Sequence, residues 1–221
     1  MIYSVGCRAV LFDLDGTLVE SAADIAEVLN HMLAGEGRAP YAIPEVKRMM
    51  GEGVHRLMEK AYADGTERTA ERAELFLDLY TPRSAKLSVP VDGAIAALDH
   101  FKALGVPLAV CTNKPDEAAR AVLEGLGLMP YFREVIGSAS GLPRKPDPAI
   151  LLEAARRLGA APTETLMVGD TLPDVAAARA AGMRVVVLDS GYGEVAASEL
   201  GADTVLTSLS DLARPLVSLP A

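Results

Sequence analysis

The sequence predicts an α/β fold in which a helical segment interrupts a parallel sheet, and two observations lead to this expectation. From about residue 88 onward, short apolar runs alternate with helical patterns, which is typical of a parallel sheet with right-handed crossovers. Between residues 21 and 86, apolar residues recur at helical spacing and no run resembles a strand. We therefore expect an α/β core formed by residues 1–17 and 88–221, with residues 18–87 inserted as a helical unit.

Each helix of the inserted segment has its own boundary signals. Ser21 is suited to cap the first helix, and Gly35 and Gly37 are suited to end it. Pro44 suits the first turn of a second helix, and Gly65 closes a third. The apolar faces of the first, third and fourth helices are Ile25, Val28, Leu29, Met32 and Leu33; Val54, Leu57, Met58, Ala61 and Tyr62; and Ala73, Phe76, Leu77 and Tyr80.

In the core, strands and helices are expected to alternate. The expected strands are the apolar runs 9–12, 106–111, 134–136, 166–168, 185–188 and 204–206. The helices between and after them are expected at 95–104, at 118–126, after an Asp147 cap with Pro148, in the alanine-rich stretch after 170, and at the end of the chain.

Composition and charge narrow the classes of function. The net charge is −9 and no basic run occurs, which argues against a nucleic-acid partner and against an anionic membrane surface. No apolar run reaches transmembrane length, and the first residues lack the pattern of a signal peptide. The two cysteines lie beside apolar runs, as in a reduced core. We therefore expect a cytoplasmic protein; nothing in the sequence reports its oligomeric state.

A pair of aspartates follows the first strand. Asp13 and Asp15 are two residues apart, so an extended chain points both toward the same face at the strand's carboxyl end. Open parallel sheets bind their ligands at that end. A buried pair of acids is costly unless a metal, a cation or a reaction stabilises it, although a lone Asp-x-Asp is also a common turn device.

Three further polar groups occupy comparable places along the chain. Thr112 and Asn113 follow a second apolar run, and Asp170 follows a third. Lys145 lies in a loop that precedes a helix. Asp174 allows two interpretations, since it either orients waters or Lys145, or caps the alanine-rich helix.

Together these groups predict phosphoryl transfer. Oxygen ligands without sulfur or imidazole favour a hard cation such as Mg²⁺, and a small phosphorylated metabolite is the expected partner. With the metal and Lys145 reducing the repulsion, Asp13 would attack phosphorus and Asp15 would exchange a proton with the leaving oxygen and then with water. Thr112 and Asn113 would donate hydrogen bonds to phosphoryl oxygens.

These residues resemble the motifs of the haloacid dehalogenase superfamily. The first motif is Asp13-Leu14-Asp15-Gly16-Thr17, and the others are Thr112-Asn113, Lys145-Pro146 and Gly169-Asp170 through Asp174. The resemblance implies a Rossmann-like core with a helical type-one cap, Asp13 as nucleophile and Asp15 as acid and base. It also implies magnesium held by the Asp13 carboxylate, the Asp15 backbone carbonyl and Asp170. Because dehalogenases usually lack the second acid, Asp15 favours a phosphatase.

Within the superfamily, segments 51–54, 190–193 and 201–212 look most like those of phosphoglycolate phosphatases. The loop Gly51-Glu52-Gly53 is expected to close over the substrate, the alternative being a plain connection between helices. A substrate carboxylate would need a cation from the cap, for which the candidates are Lys47, Arg48, Arg56 and Arg83. Phosphatases of other sugar phosphates or of pyrophosphate, a phosphomutase, and a non-catalytic phospho-ligand-binding module remain open alternatives.

Overall fold

The computed structural model describes residues 7–190 and 192–213. The strands are β1 (Ala9–Phe12), β2 (Val19–Glu20), β3 (Val89–Pro90), β4 (Leu108–Cys111), β5 (Glu134–Ile136), β6 (Thr165–Gly169), β7 (Arg184–Leu188) and β8 (Thr204–Leu206). The α-helices are α1 (Ala22–Gly35), α2 (Ile43–Met49), α3 (Val54–Tyr62), α4 (Thr69–Tyr80), α5 (Ala94–Ala103), α6 (Asp116–Gly125), α7 (Ala149–Leu158) and α8 (Leu172–Ala180).

The main sheet places the first strand at its centre. Within the described part of the chain it has six parallel strands in the order β5-β4-β1-β6-β7-β8. Phe12, the last residue of β1, pairs with Val110 on one side and with Val168 on the other. The residues that follow β1, β4 and β6 are therefore neighbours at one edge of the sheet, as the sequence predicted.

Both faces of the sheet are covered, which is why its strands are apolar throughout. Val10 and Phe12 on one face of β1 belong to a core that includes residues of α1, α5 and α6. Ala9 and Leu11 on the opposite face belong to a second core built with α7 and α8. Side chains alternate between the faces of a strand, so β1 contributes to both cores and is itself fully buried.

The helical insertion leaves and rejoins the core through a short antiparallel ribbon. In this ribbon β2 pairs with β3, and helices α1 to α4 lie between them along the chain. Asp24 in α1 holds the returning segment, since its carboxylate accepts hydrogen bonds from the backbone N–H groups of Leu87 and Ser88 and from the Ser88 hydroxyl. Two-residue strands carry no alternating pattern, and the sequence analysis did not predict them.

Several boundaries differ from the expectations for local reasons. The strand predicted from residue 106 begins at Leu108, because Pro107 has no N–H group to donate to a neighbouring strand. The carbonyl of Pro107 still accepts a hydrogen bond from the Val10 N–H. Helix α3 ends at Tyr62 because the next residue, Ala63, takes the left-handed conformation with φ 49°, so the helix does not extend to Gly65. Of the predicted terminal helix, the described part is a 3₁₀ turn, Leu209–Ala213, and the rest falls outside the described residues.

Along the described chain, every helix is too short or too polar to cross a membrane.

Candidate active site

Lys145 lies at the centre of the polar groups that follow the strands. Its ammonium donates to Asp13 Oδ1 at 2.8 Å, to Asp174 Oδ1 at 2.6 Å and to the carbonyl of Cys111 at 2.7 Å. Three donors therefore meet three acceptors, and the residue is 2% exposed. The structure brings Lys145 to Asp13 across 132 positions of chain, from the loop that precedes α7.

Asp174 contacts both Lys145 and the start of α8. One oxygen accepts from Lys145, and the other accepts from the backbone N–H of Asp170 at 3.2 Å and of Thr171 at 3.0 Å. These backbone groups lie at the start of α8, where N–H groups lack intrahelical partners. The side chain thus holds the helix terminus and the ammonium together.

Asp170 completes a group of buried carboxylates. Its oxygens accept from the Thr17 hydroxyl at 2.7 Å and from the Ser190 hydroxyl at 2.8 Å. Ligand oxygens of Asp13, Asp170 and Asp174 lie within 4.8 Å of one another. Such spacing matches the carboxylate part of a site for a hard cation.

The buried charges perturb each other's protonation. Burial raises the pKa of Asp13 to about 6, against the opposing effect of the Lys145 ammonium. Burial and the nearby carboxylates of Asp13 and Asp174 also raise the pKa of Asp170 well above its usual value. Burial alone would lower the pKa of Lys145, but the attraction of Asp13 and Asp174 outweighs it and leaves the net pKa raised. The Lys145 ammonium is therefore charged at neutral pH, and the buried carboxylates around it outnumber the ammonium groups.

The donor set fits a divalent cation. Asp13, Asp15, Asp170 and Asp174 contribute four carboxylates, while Lys145 and Lys114 contribute two ammonium groups. With all six groups ionised, two negative charges remain, and one divalent cation would neutralise them. All of the available side-chain donors are oxygens, which favours Mg²⁺ over softer metals.

Asp15 faces a different partner from Asp13. Both of its carboxylate oxygens accept from the ammonium of Lys114, at 2.9 and 3.0 Å, and Oδ1 also accepts from the Ser21 hydroxyl at 2.5 Å. Ser21, predicted as a helix cap, makes no side-chain capping bond to α1 because its hydroxyl is used here. Lys114 was missed by the sequence analysis, although it directly follows Thr112 and Asn113 at the end of β4.

Thr112 and Asn113 lie at the same sheet edge. The Thr112 hydroxyl oxygen accepts from the backbone N–H of Lys114 at 3.2 Å. The Asn113 amide donates to the carbonyl of Gly51 at 3.1 Å and to that of Lys145 at 3.0 Å, and thereby ties the helical insertion to the core. The side-chain oxygen of Asn113, Oδ1, is buried and has no hydrogen-bond partner within the described structure.

A cavity of about 60 Å³ opens beside these residues, between the core and the helical insertion. The core contributes polar groups to its lining. The insertion contributes mainly apolar side chains from α1, α3 and α4, and Tyr80 lies at the end of α4. Its lining residues are Asp13, Asp15, Ile25, Met50, Gly51, Gly53, Val54, Leu57, Phe76, Leu77, Tyr80, Thr112, Asn113, Lys114 and Pro115.

The glycine loop borders this cavity, but its acid turns elsewhere. Gly51 and Gly53 line the cavity and have φ values of 102° and 91°, which side chains rarely adopt. The Glu52 carboxylate pairs with Lys60 at 2.7 Å, and Lys60 also pairs with Glu194 of the core at 3.1 Å. Glu52 therefore lies beside a neighbouring cleft, in an ion-pair bridge between insertion and core.

The four cations expected from the insertion do not line the cavity. Lys47 pairs with Glu20 at 2.6 Å, and Arg56 pairs with Glu59 at 2.8 Å. Arg48 lines a different cleft, and Arg83 lies exposed after α4. Among residues 7–190 and 192–213, Lys114 is the one cation in the cavity lining.

Comparison with known proteins identifies the family. Residues 7–182 match the model of a family described as haloacid dehalogenase-like hydrolase. The phosphoglycolate phosphatase of Rhodospirillum rubrum is 42% identical over 214 residues, which cover 93% of this chain and 89% of that protein. This chain belongs to the haloacid dehalogenase-like hydrolases. The resemblance to this superfamily that the sequence motifs indicated, and the class of phosphatase that they favoured, are thereby confirmed.

Other members of this hydrolase family agree over nearly the whole chain. The phosphoglycolate phosphatase of Caulobacter vibrioides is 34% identical, covering 99% of this chain and 94% of that protein. The crystal structure of a predicted phosphoglycolate phosphatase from Haemophilus somnus 129PT has a TM-score of 0.87 at 28% identity, with 95% of this chain and 97% of that chain covered. The α/β fold with its Rossmann-like sheet is therefore confirmed.

Proposed function

We propose that this hydrolase is a magnesium-dependent phosphatase that acts on a small phosphate monoester, with 2-phosphoglycolate as its substrate. The observation that carries the proposal is the buried contact of Asp13 with Lys145, beside two further carboxylates and a small cavity. This combination suits attack by a carboxylate on a phosphorylated molecule. Relatives named phosphoglycolate phosphatases, 34–42% identical over nearly the whole chain, support the choice of substrate.

The proposed metal ligands are the carboxylates of Asp13 and Asp170 and the backbone carbonyl of Asp15. Asp174 supports the site by holding Lys145 and the start of α8. When bound there, Mg²⁺ would supply positive charge that offsets the repulsion between the aspartates and a phosphate dianion.

The proposed reaction proceeds in two balanced steps. An Asp13 oxygen forms a bond to phosphorus as the bond from phosphorus to the leaving oxygen breaks, and Asp15 gives that oxygen a proton. A water molecule then gives its proton to Asp15 as its oxygen bonds to phosphorus, which releases inorganic phosphate and restores Asp13. Thr112, Asn113 and Lys145 bind phosphoryl oxygens and keep the group in line.

The helical insertion, residues 18–87, is proposed to act as a cap over the core formed by residues 1–17 and 88–221. Apolar side chains of α1, α3 and α4 face the core across the cavity, so they would exclude water from the reaction. Gly51 and Gly53 would allow the loop between α2 and α3 to approach the phosphoryl group, with Glu52 adding the ion pair to Lys60. The expected setting is the cytoplasm.

Replacement of the nucleophile tests the proposal. Asp13→Asn removes the attacking charge but keeps the size of the side chain, so we expect loss of turnover by a factor of about 10³ or more on 2-phosphoglycolate, with cooperative unfolding retained. Asp78→Asn, on the exposed side of α4, is the matched control and should retain wild-type turnover.

The measurement is phosphate release with Mg²⁺ and after its removal by chelation, followed by a comparison of kcat/KM across phosphate monoesters. Substantial turnover by Asp13→Asn would contradict the role of Asp13. Net isomerisation of a sugar phosphate without phosphate release would indicate a phosphomutase. A wild-type protein that binds but does not hydrolyse any monoester would contradict the phosphatase itself.

A further inference from the structure

We propose that Lys114 and Tyr80 form a subsite for a carboxylate on the substrate's leaving group. The inference rests on the proposed phosphatase function and deepens it, because it names the residues that would distinguish an acidic monoester from a neutral one. It also moves the specificity determinant from the surface cations of the insertion to the loop after β4 and the end of α4.

Lys114 provides the charge for such a subsite. Its side chain is only 6% exposed and lines the cavity next to Asp13 and Asp15. Its ammonium pairs with the Asp15 carboxylate at 2.9 Å, so the charge lies within the cavity wall. Two of its three N–H donors are used by the Asp15 oxygens, and the ammonium also faces Tyr80.

Tyr80 provides the second element. Its ring lies against the Lys114 ammonium, with 4.4 Å between Nζ and the ring centroid. The Tyr80 hydroxyl is buried and makes no close hydrogen bond within the described structure, although it interacts with the Lys114 ammonium, and the residue lines the same cavity. A buried hydroxyl without a close hydrogen bond costs free energy that a ligand oxygen would recover.

The surroundings favour a carboxylate on a short leaving group. The position of Lys114 beside Asp15 places the positive charge next to the residue proposed to protonate the leaving oxygen. A carboxylate one carbon away from that oxygen, as in glycolate, would lie within reach of the same ammonium. The apolar side chains that the insertion contributes to the cavity suit a small leaving group with few polar groups besides its carboxylate.

The inference is tested by a ratio rather than by a rate. Turnover of 2-phosphoglycolate is compared with that of 2-hydroxyethyl phosphate, in which a neutral hydroxymethyl group replaces the carboxylate. We expect the wild-type protein to prefer the acidic substrate. Lys114→Gln should reduce that preference in kcat/KM by roughly 10- to 100-fold, the range of a charged hydrogen bond.

Variants separate recognition from the support of Asp15. If Lys114 only supports Asp15, Lys114→Gln will lower kcat for both substrates equally. The ratio of their kcat/KM values would then stay unchanged, and this result would overturn the proposal. Tyr80→Phe leaves the ion pair between Lys114 and Asp15 in place and should reduce the preference by roughly 3- to 10-fold. Lys86→Gln, an exposed lysine of the insertion, is the charge-matched control and should leave the ratio as in the wild type.

A binding measurement keeps the test independent of turnover. Calorimetry with 3-phosphonopropionate, a non-hydrolysable analogue, is compared with propylphosphonate, which lacks the carboxylate. We expect Lys114→Gln to lose most of the difference in Kd between these two probes. Equal Kd values for the wild-type protein would overturn the subsite, whereas a wild-type preference without any hydrolysis would sink the phosphatase proposal and leave the subsite standing.

Discussion

The buried aspartate of the site makes stability depend on pH in a direction that can be calculated. Burial raises the pKa of Asp13 from 3.8 to about 6 in the folded chain without metal. The folded state thus keeps this proton to a higher pH than the unfolded state does. The stability that the protonated form contributes is fully present below pH 4 and is lost as the pH rises through 6.

The size of the effect follows from the shift. About two pKa units correspond to about 3 kcal/mol over the whole titration, and about 2 kcal/mol of this falls between pH 4.5 and pH 8. Asp13→Asn has no carboxyl group to titrate at this position but still offers an oxygen to Lys145. The wild-type protein should therefore lose about 2 kcal/mol more unfolding free energy than the variant over that interval.

Urea unfolding in the presence of a chelator measures this difference at each pH. Added Mg²⁺ at pH 8 should restore stability to the wild-type protein and less to the variant, since a ligand that binds only the folded state stabilises it. Parallel pH profiles for the two proteins would refute the reasoning, because they would mean that Asp13 titrates in the folded chain as it does in the unfolded one.

Two further predictions concern the supports of the site. Gly16→Ala should lose about 1–3 kcal/mol more stability than Gly127→Ala, because both have positive φ values but only the Gly16 methyl would collide with Asp170; equal thermal shifts would contradict this. Asp174→Ala should lower the free energy of unfolding in urea by about 3–5 kcal/mol, because the buried Lys145 ammonium loses an anion. Asp116→Ala also removes an acceptor of two backbone N–H groups but contacts no ammonium, so it should lower that free energy by only about 1–2 kcal/mol. Similar losses in the two variants would contradict the role of the Lys145 contact.

The sequence was most informative where local pattern and topology agree. The apolar run of β1 predicted a buried strand, because a strand buried on both faces has little tolerance for polar residues. The placement of Asp13, Thr112 and Asp170 at one edge followed from the parallel strands that precede them. Lys145 reaches Asp13 from the loop before α7, and the contact of Asp170 with Asp174 is local, four residues apart. Their roles in catalysis remain predictions.

The sequence was less informative where a partner comes from a distant element. In the sequence, Lys114 is an ordinary polar residue after a strand. Its contact with Asp15, 99 positions away, shows that it lies in the cavity. The insertion cations were expected in the cavity from their charge alone, although ion pairs such as that of Lys47 with Glu20 already satisfy some of them. Glu52 likewise forms an ion pair with Lys60, which belongs to the same insertion.

The ribbon of β2 and β3 has a consequence for dissecting the molecule. Because Val19 pairs with Pro90 and Glu20 with Val89, the two ends of the inserted segment emerge side by side. A tight turn joining Glu20 directly to Val89 would thus span the gap without rerouting any strand of the main sheet. A miniature built this way would show how much of phosphate capture belongs to the sheet edge alone.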